Sequence, residues 1–238
     1  MINLRLSSLW QDAIGLLYPT LCLQCRTPIK RGTRPELCLE CFTELSYNTT
    51  WNQPENDVSD RFAGRLRITH AATLLHYKTG TATQELIHAL KYYHRPEIGK
   101  QLGVELGQKL RMLPHLRNVA GLVPVPIHPG RRRQRGYNQA EEIAKGLSAV
   151  LDVPIYADAL VRTQFKGSQT KLSHFERVQN VADSFGIGVG DFSGQHLLLV
   201  DDVVTTGATL DYCGNLLVEH HVGCRVGIAA LAAVGMSS

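Results

Sequence analysis

The chain has 238 residues, of which 44% are hydrophobic and 19% charged, with 21 Gly and 10 Pro. That composition excludes a disordered or fibrous protein and leaves enough chain to bury a sizeable core in one or two domains. A net charge of +4 is too mild to identify a nucleic-acid binder, and the longest weakly polar run, Val226–Met236, is about half of what a membrane-crossing helix needs. No membrane span is expected. Gln11 and Asp12 interrupt the apolar N-terminus and no small-residue cleavage site follows, so no secretory signal is read there and a cytoplasmic location is expected.

Leu6, Leu9, Ala13, Leu16 and Leu17 recur at helical spacing and predict a short amphipathic helix. Two CxxC pairs follow, Cys22/Cys25 and Cys38/Cys41, with twelve residues between them. A CxxC turns two sulfurs toward one point, and two such knuckles joined by a short connector supply four thiolates to one tetrahedral ion. Two disulfides would suit a secreted mini-domain, which the missing export signal disfavours. A redox motif needs one CxxC rather than two. The reading is a structural zinc ribbon, closed to substrate because no coordination position is left open. Tyr47–Arg61, with Asn, Thr, Pro and Asp throughout, reads as a linker. The expected organisation is helix plus ribbon over residues 1–46, linker over 47–66 and a second domain over 67–238.

In that second domain strand-like and helix-like stretches alternate. Ile68–Tyr77 is β-rich, Thr83–Tyr92 and Gly99–Leu113 have helical spacing, and Gly121–Ile127 is a short apolar run. A helix is expected over Asn138–Leu151, a strand at Leu197–Val200, a helix over Thr209–His221 and a last strand at Arg225–Ala233. Buried, non-alternating strands between helices predict an α/β fold with a mostly parallel sheet. Ligands bind such sheets beyond the carboxyl ends of the strands.

One stretch sits at such an end. The strand Leu197–Val200 runs into Asp201 and Asp202, then Val203, Val204, Thr205, Thr206, Gly207, Ala208 and Thr209, where a helix begins. Free N–H groups at a helix start, with the macrodipole and threonine hydroxyls, suit a phosphate dianion. Gly207 would let the backbone approach the anion closely. The two carboxylates would repel a phosphate and are suited instead to sugar hydroxyls, so the string describes a ribose 5-phosphate site. Upstream, Arg131, Arg132, Arg133 and Arg135 fall within five residues, which is either a solvated basic turn or a site facing a polyanion.

VDDVVTTGAT resembles the phosphoribosyl-pyrophosphate (PRPP) motif of type I phosphoribosyltransferases. LIHALKY at Leu86–Tyr92, VPVPIHPGRRRQRGYNQAEEIA at Val123–Ala144, and the spaced Gln169, Leu172, Arg177, Asn180 and Phe185 are similar to one branch, the ComF family. That family joins a double-CxxC module to this transferase fold. The resemblance implies that Asp201 and Asp202 bind the ribose hydroxyls of PRPP and that Thr205, Thr206, Gly207, Ala208 and Thr209 hold its 5-phosphate. Val125, Pro126, Ile127 and His128 would form the pyrophosphate loop, aided by Arg133 and Arg135. Arg162–Thr170 would be a loop that closes over the site, and Mg²⁺ would arrive with the pyrophosphate.

In 6-oxopurine salvage enzymes of this fold an acid stands three residues after the acidic pair. Here that position is Thr205, which argues against hypoxanthine or guanine and leaves the acceptor unidentified. His128, His174 and Lys91 are the candidate acid–base groups. The resemblance implies phosphoribosyl transfer with release of pyrophosphate, linked to natural competence. The alternative is a non-catalytic PRPP or nucleotide sensor whose ribbon binds single-stranded DNA or a DNA-uptake protein. Arg26, Lys30, Arg31 and Arg34 supply charge around the ribbon, and Phe42, Tyr47 and Trp51 are its few stacking aromatics. Cys213 and Cys224 read as buried core thiols, and His220–His221 as the end of a helix.

Overall fold

The computed structural model describes residues 19–30, 32, 35–162 and 185–235. Strands β1 (Thr20–Leu21) and β2 (Pro28–Ile29) pair as a small antiparallel hairpin, followed by helix α1 (Leu39–Thr43) and a 3₁₀ turn at Ser59–Phe62. Next come β3 (Ile68–Tyr77), α2 (Ala82–Tyr92), α3 (Pro96–Arg111), β4 (Gly121–Pro124), α4 (Pro129–Arg135) and α5 (Gln139–Leu151). The chain continues through β5 (Leu160–Arg162), β6 (Phe185–Ile187), β7 (His196–Val204), α6 (Ala208–His220) and β8 (Arg225–Val234). A four-stranded parallel sheet in the order β3-β8-β7-β4 forms the centre, as the alternation of strands and helices predicts.

Successive side chains of a strand leave opposite faces of the sheet, and β7 divides accordingly. Leu198 and Val200 join a core with Leu86 and Leu90 of α2, Leu102 and Leu106 of α3, and Ile143 and Leu147 of α5. Leu197 and Leu199 join the opposite core with Phe62, Leu66 and, from α6, Leu210, Cys213 and Leu217. In α3 the buried Ile98, Leu102, Leu106 and Leu110 repeat every fourth residue, so one stripe faces inward. Glycine lets α3 and α5 cross closely: a Cβ on Gly103 would meet Ile143 O at 2.3 Å, and one on Gly146 would meet Lys100 O at 2.0 Å.

Residues 47–66, polar enough to read as a linker, are packed onto the sheet. Tyr47 bridges antiparallel to Leu75 at the β3 edge, and Asn48 N donates to Leu74 O at 2.9 Å. Asn56 Oδ1 accepts from Val58 N and Ser59 N while its Nδ2 reaches Gln53 O and Ala71 O. The asparagines here satisfy backbone groups internally, and Val58 and Phe62 are fully buried. The cysteine-bearing segment also shares the first core, through Cys22, Leu37, Cys38, Cys41 and Leu45. Glu36 pairs with Arg95 at 2.8 Å, and Gln24 Nε2 donates to Gly80 O at 3.0 Å.

The arginine-rich turn is the short helix α4, and the antiparallel β5–β6 pair has no counterpart among the sequence expectations. The amphipathic helix expected around Leu6–Leu17, and residues 163–170 of the expected closing loop, lie outside the described residues. Among the described residues no helix is long and apolar enough to cross a membrane.

Candidate functional site

The carboxyl ends of β4 and β7 lie side by side, because Pro124 pairs with Val200 and Val125 N donates to Val200 O at 2.9 Å. Residues 125–128 therefore emerge beside Asp201 and Asp202. Thr205–Gly207 link β7 to α6, with Thr205, Thr206 and Ala208 exposed and Thr209 half-buried. Gly207 has φ 79° and caps α6. A Cβ there would sit 3.1 Å from two ring carbons of Phe62. The glycine is thus demanded by its left-handed backbone and by the packed ring of Phe62 beneath it.

Two arginines that sequence reasoning passed over shape this turn. Arg61, buried in the segment read as a linker, donates from Nη1 to Val204 O at 3.1 Å and to Thr205 O, from Nη2 to Val234 O, and from Nε to Asp57 O at 3.2 Å. Burial holds its guanidinium below the usual range. Arg65 Nη2 donates to Thr206 O at 3.0 Å, and its Nη1 lies 3.6 Å from Asp211 of α6. Carbonyls of the turn are thus held by these guanidinium groups, and at the start of α6 Ala208 N donates to Thr206 Oγ1 at 3.4 Å. No sequence motif marks Arg61; only the tertiary packing reveals it.

Asp201 and Asp202 differ in surroundings. Asp201 Oδ1 accepts the Asp202 backbone N–H at 2.8 Å. Burial, and then the neighbouring Asp202 charge, push its carboxyl up to about 7. Asp202 is buried, with Oδ1 2.9 Å from Lys91 Nζ and Oδ2 accepting from Gln139 Nε2 at 2.8 Å. Lys91 is thereby paired with a carboxylate.

On the β4 side Val125 is buried, Pro126 and Ile127 are half-buried, and His128 caps α4 by accepting from Gly130 N at 3.1 Å through Nδ1. Asn138 closes this loop by donating to Val125 O at 3.0 Å while capping α5. The arginines separate into different roles. Arg132 pairs with Glu141 through both nitrogens, at 2.7 and 3.1 Å. Arg135 is 8% exposed, with its guanidinium 5.2 Å from the centre of the Tyr92 ring. Arg131 and Arg133 are exposed. Arg162, at the end of β5, lies over the Phe185 ring at 4.6 Å, where burial and then the Arg131 charge disfavour its own. His174 falls outside the described residues.

The four cysteines meet. Their Sγ atoms lie within 4.8 Å of one another, and Cys25 and Cys38 are 3.6 Å apart. The first knuckle follows β1, where Cys22 N donates to Thr27 O and Arg26 adopts φ 64°. The second is built on α1, with Cys38 as its N-cap, accepting from Cys41 N at 3.5 Å. Four sulfurs around a tetrahedral zinc at about 2.3 Å stand roughly 3.8 Å apart, so this donor set fits the ion after a small contraction. Cys25, the exposed member, is brought down to about 6, first by the Thr27 hydroxyl, whereas burial pushes the Cys41 thiol up. Zinc would hold all four as thiolates in a closed structural site. Of the aromatics near this module, Tyr47 and Trp51 pack against the first core with Lys109 over both rings, at 5.6 and 5.3 Å, leaving Phe42 exposed. Arg31 and Arg34 lie outside the described residues.

Cys213 and Cys224 are buried as expected, and burial pushes both thiols up. At the end of α6 the His220 Nδ1 lies 2.9 Å from Leu216 O, while the His221 ring packs edge-on against Phe192.

A parallel sheet with helices on both faces, and a strand–turn–helix at its carboxyl edge, suit a phosphoribosyltransferase-type α/β fold. Residues 135–237 match the phosphoribosyl transferase domain family. The chain is also similar to competence protein F of Haemophilus influenzae, 38% identical over 98 residues covering 40% of this chain and 43% of that protein. DNA utilization protein YhgH of Escherichia coli is 34% identical over 141 residues, 57% of this chain and 60% of that protein. The matched region thus spans about half the length of these curated relatives. A solved purine phosphoribosyltransferase from Pyrococcus horikoshii is similar at 20% identity with a TM-score of 0.34, covering 56% of this chain and 70% of that one. The ComF resemblance read from the sequence agrees with these findings: residues 135–237 are similar to the phosphoribosyl transferase domain, four cysteines cluster near the N-terminus, and the chain is similar to competence protein F and YhgH.

Proposed function

We propose that the chain binds PRPP with Mg²⁺ at the carboxyl edge of its sheet and transfers the phosphoribosyl group to an acceptor, releasing pyrophosphate. The observation that carries this reading is the turn 205–207, with its carbonyls held by Arg61 and Arg65 and its N–H groups at the start of α6, directly after two carboxylates and beside the β4 loop. In this reading Thr205, Thr206, Gly207, Ala208 and Thr209 take the 5-phosphate, the acidic pair faces the sugar, and Val125, Pro126, Ile127 and His128 run along the pyrophosphate. Arg133 is exposed and available to that group, whereas Arg135 supports α4 from beneath through Tyr92. Bound Mg²⁺ would neutralise pyrophosphate charge and is held largely by substrate oxygens and water. The cluster Cys22, Cys25, Cys38 and Cys41 is a structural zinc site in a reducing, cytoplasmic setting. Similarity to proteins named competence protein F and DNA utilization protein YhgH supports a link to natural competence and DNA uptake.

One observation favours the second reading, a non-catalytic PRPP or nucleotide sensor with single-stranded DNA or a DNA-uptake protein as partner. Lys91 is committed to Asp202, and His128 Nδ1 to the cap of α4. Lys91 is therefore not free to take an acceptor's proton as it stands, and His128 keeps Nε2 alone for that task. Release of pyrophosphate on incubation with PRPP, Mg²⁺ and a panel of bases and amines separates the two. Sustained release supports the transferase, and binding without release supports the sensor.

A further inference from the structure

Helix α6 carries a carboxylate, Asp211, in its first turn. Such a charge stabilises the positive end of a helix, but it repels any phosphate bound at the turn 205–207, which uses that same end. Arg65 meets it: Nη1 lies 3.6 Å from Asp211 Oδ2, while Nη2 donates to Thr206 O at 3.0 Å. On the other side Asn215 Nδ2 donates to Asp211 Oδ1 at 3.2 Å and to Arg65 O at 3.2 Å, so the carboxylate is fixed in place. Its side chain is 17% exposed, and water screens it less than a surface acid. Packing brings Arg65 here. Its neighbour Leu66 lies against α6, where a Cβ on Gly214 would meet the Leu66 side chain at 2.3 Å.

A single guanidinium thus fixes a carbonyl of the turn and offsets the carboxylate of the helix that would receive the anion. The bond to Thr206 O sets its charge beside the exposed Thr205 and Thr206. Resting on the 5-phosphate reading above, we infer that Arg65 is a positioning residue for that phosphate, acting through Asp211 and Thr206 O: it neutralises the acid in the first turn of α6 so that the helix start accepts a dianion, and Asp211 limits how tightly the anion is held. The charge balance of the turn then depends on the segment 59–66, which precedes the residues similar to the transferase family.

The test is calorimetric titration of ribose 5-phosphate into the wild-type chain and its variants at low salt, with the melting temperature of each recorded alongside. Arg65→Gln leaves Asp211 uncompensated and is expected to bind about fivefold weaker or worse, whereas Arg65→Lys keeps the charge and should stay within about threefold of the wild type. Asp211→Asn is expected to bind about twofold tighter or better, even though it gives up a charge that stabilises the helix. A merely structural role would not produce that gain. The double Arg65→Gln/Asp211→Asn should return to within about threefold of the wild type, and added salt should shrink all of these differences. Unchanged or weaker binding by Asp211→Asn, or a double variant as weak as Arg65→Gln, overturns the charge balance. So does Arg65→Lys binding as weakly as Arg65→Gln, because the shape of the guanidinium would then matter and its charge would not. If the wild type itself binds no ribose 5-phosphate, the 5-phosphate reading falls and takes this inference with it.

Discussion

Replacing Arg61 by Ala removes a buried guanidinium that donates to four backbone carbonyls, those of Asp57, Val204, Thr205 and Val234. Val204 ends β7, Val234 ends β8 and Thr205 opens the candidate phosphate turn. The side chain therefore ties two strand ends and the turn to the 3₁₀ segment Ser59–Phe62. A hydrogen bond involving a charged group contributes about 1.5–3 kcal/mol, but four on one side chain do not add, and water will reach some of the vacated carbonyls. We expect a loss of about 3–5 kcal/mol, placing Arg61→Ala among the larger single-residue effects. In a chain of this size that lowers the melting temperature by roughly 6–20 °C. Arg61→Lys should recover less than half, since an ammonium on a single stem cannot span the same carbonyls. Differential scanning calorimetry and urea denaturation of the three proteins measure this. A change below about 1 kcal/mol in Arg61→Ala would refute the view that this residue holds the turn in shape.

Further expectations follow from the same geometry. Gly207→Ala combines a left-handed φ with contact against the Phe62 ring and should cost about 1–3 kcal/mol, along with most of the affinity for inorganic phosphate, both readable by thermal shift with and without phosphate. The Asp201 carboxyl titrates near 7 in the folded chain and near 4 when unfolded, so the folded state binds its proton more tightly and loses stability as pH rises from about 4 to about 7. Asp201→Asn lacks that loss and should match the wild type near pH 4 but exceed it at pH 8, by up to about 4 kcal/mol at about 1.4 kcal/mol for each pH unit between the two values; equal stability at both pH values would contradict the assignment. Metal analysis should find one zinc per chain. Because Cys22, Cys38 and Cys41 share the first core with α2 and α3, chelation or Cys38→Ser should lower the main melting transition, and a main transition that stays in place would show the cysteine segment to be independent.

Much of the site was legible because its chemistry is local in sequence. Each CxxC pair lies within four residues and the run from Asp201 to Thr209 within nine, so spacing alone places the groups of each near one another. The strands β7 and β8 and helices α2, α3 and α5 were equally plain, since their apolar residues recur at strand or helix period. What escaped depends on long-range partners. Residues 47–66 look like solvated loop, yet Asn48 and Asn56 are buried and Arg61 reaches carbonyls far away in the chain. Composition cannot distinguish an asparagine facing water from one capping a buried turn. The four arginines near α4 look alike in sequence, but Arg132 meets Glu141, Arg135 lies over Tyr92, and Arg131 and Arg133 remain open. Likewise nothing in the string VDDVV says that one carboxylate of the pair is bound to Lys91 and Gln139, because those partners belong to other elements.

The central claim is that the carboxyl edge of the sheet takes a 5-phosphorylated sugar pyrophosphate. Titration of PRPP with Mg²⁺ into the wild-type chain and into Asp201→Asn tests it most directly. We expect saturable binding to the wild type, displaced by ribose 5-phosphate and weakened tenfold or more in the variant. No heat with the wild type, or equal affinity in the two proteins, would contradict the account.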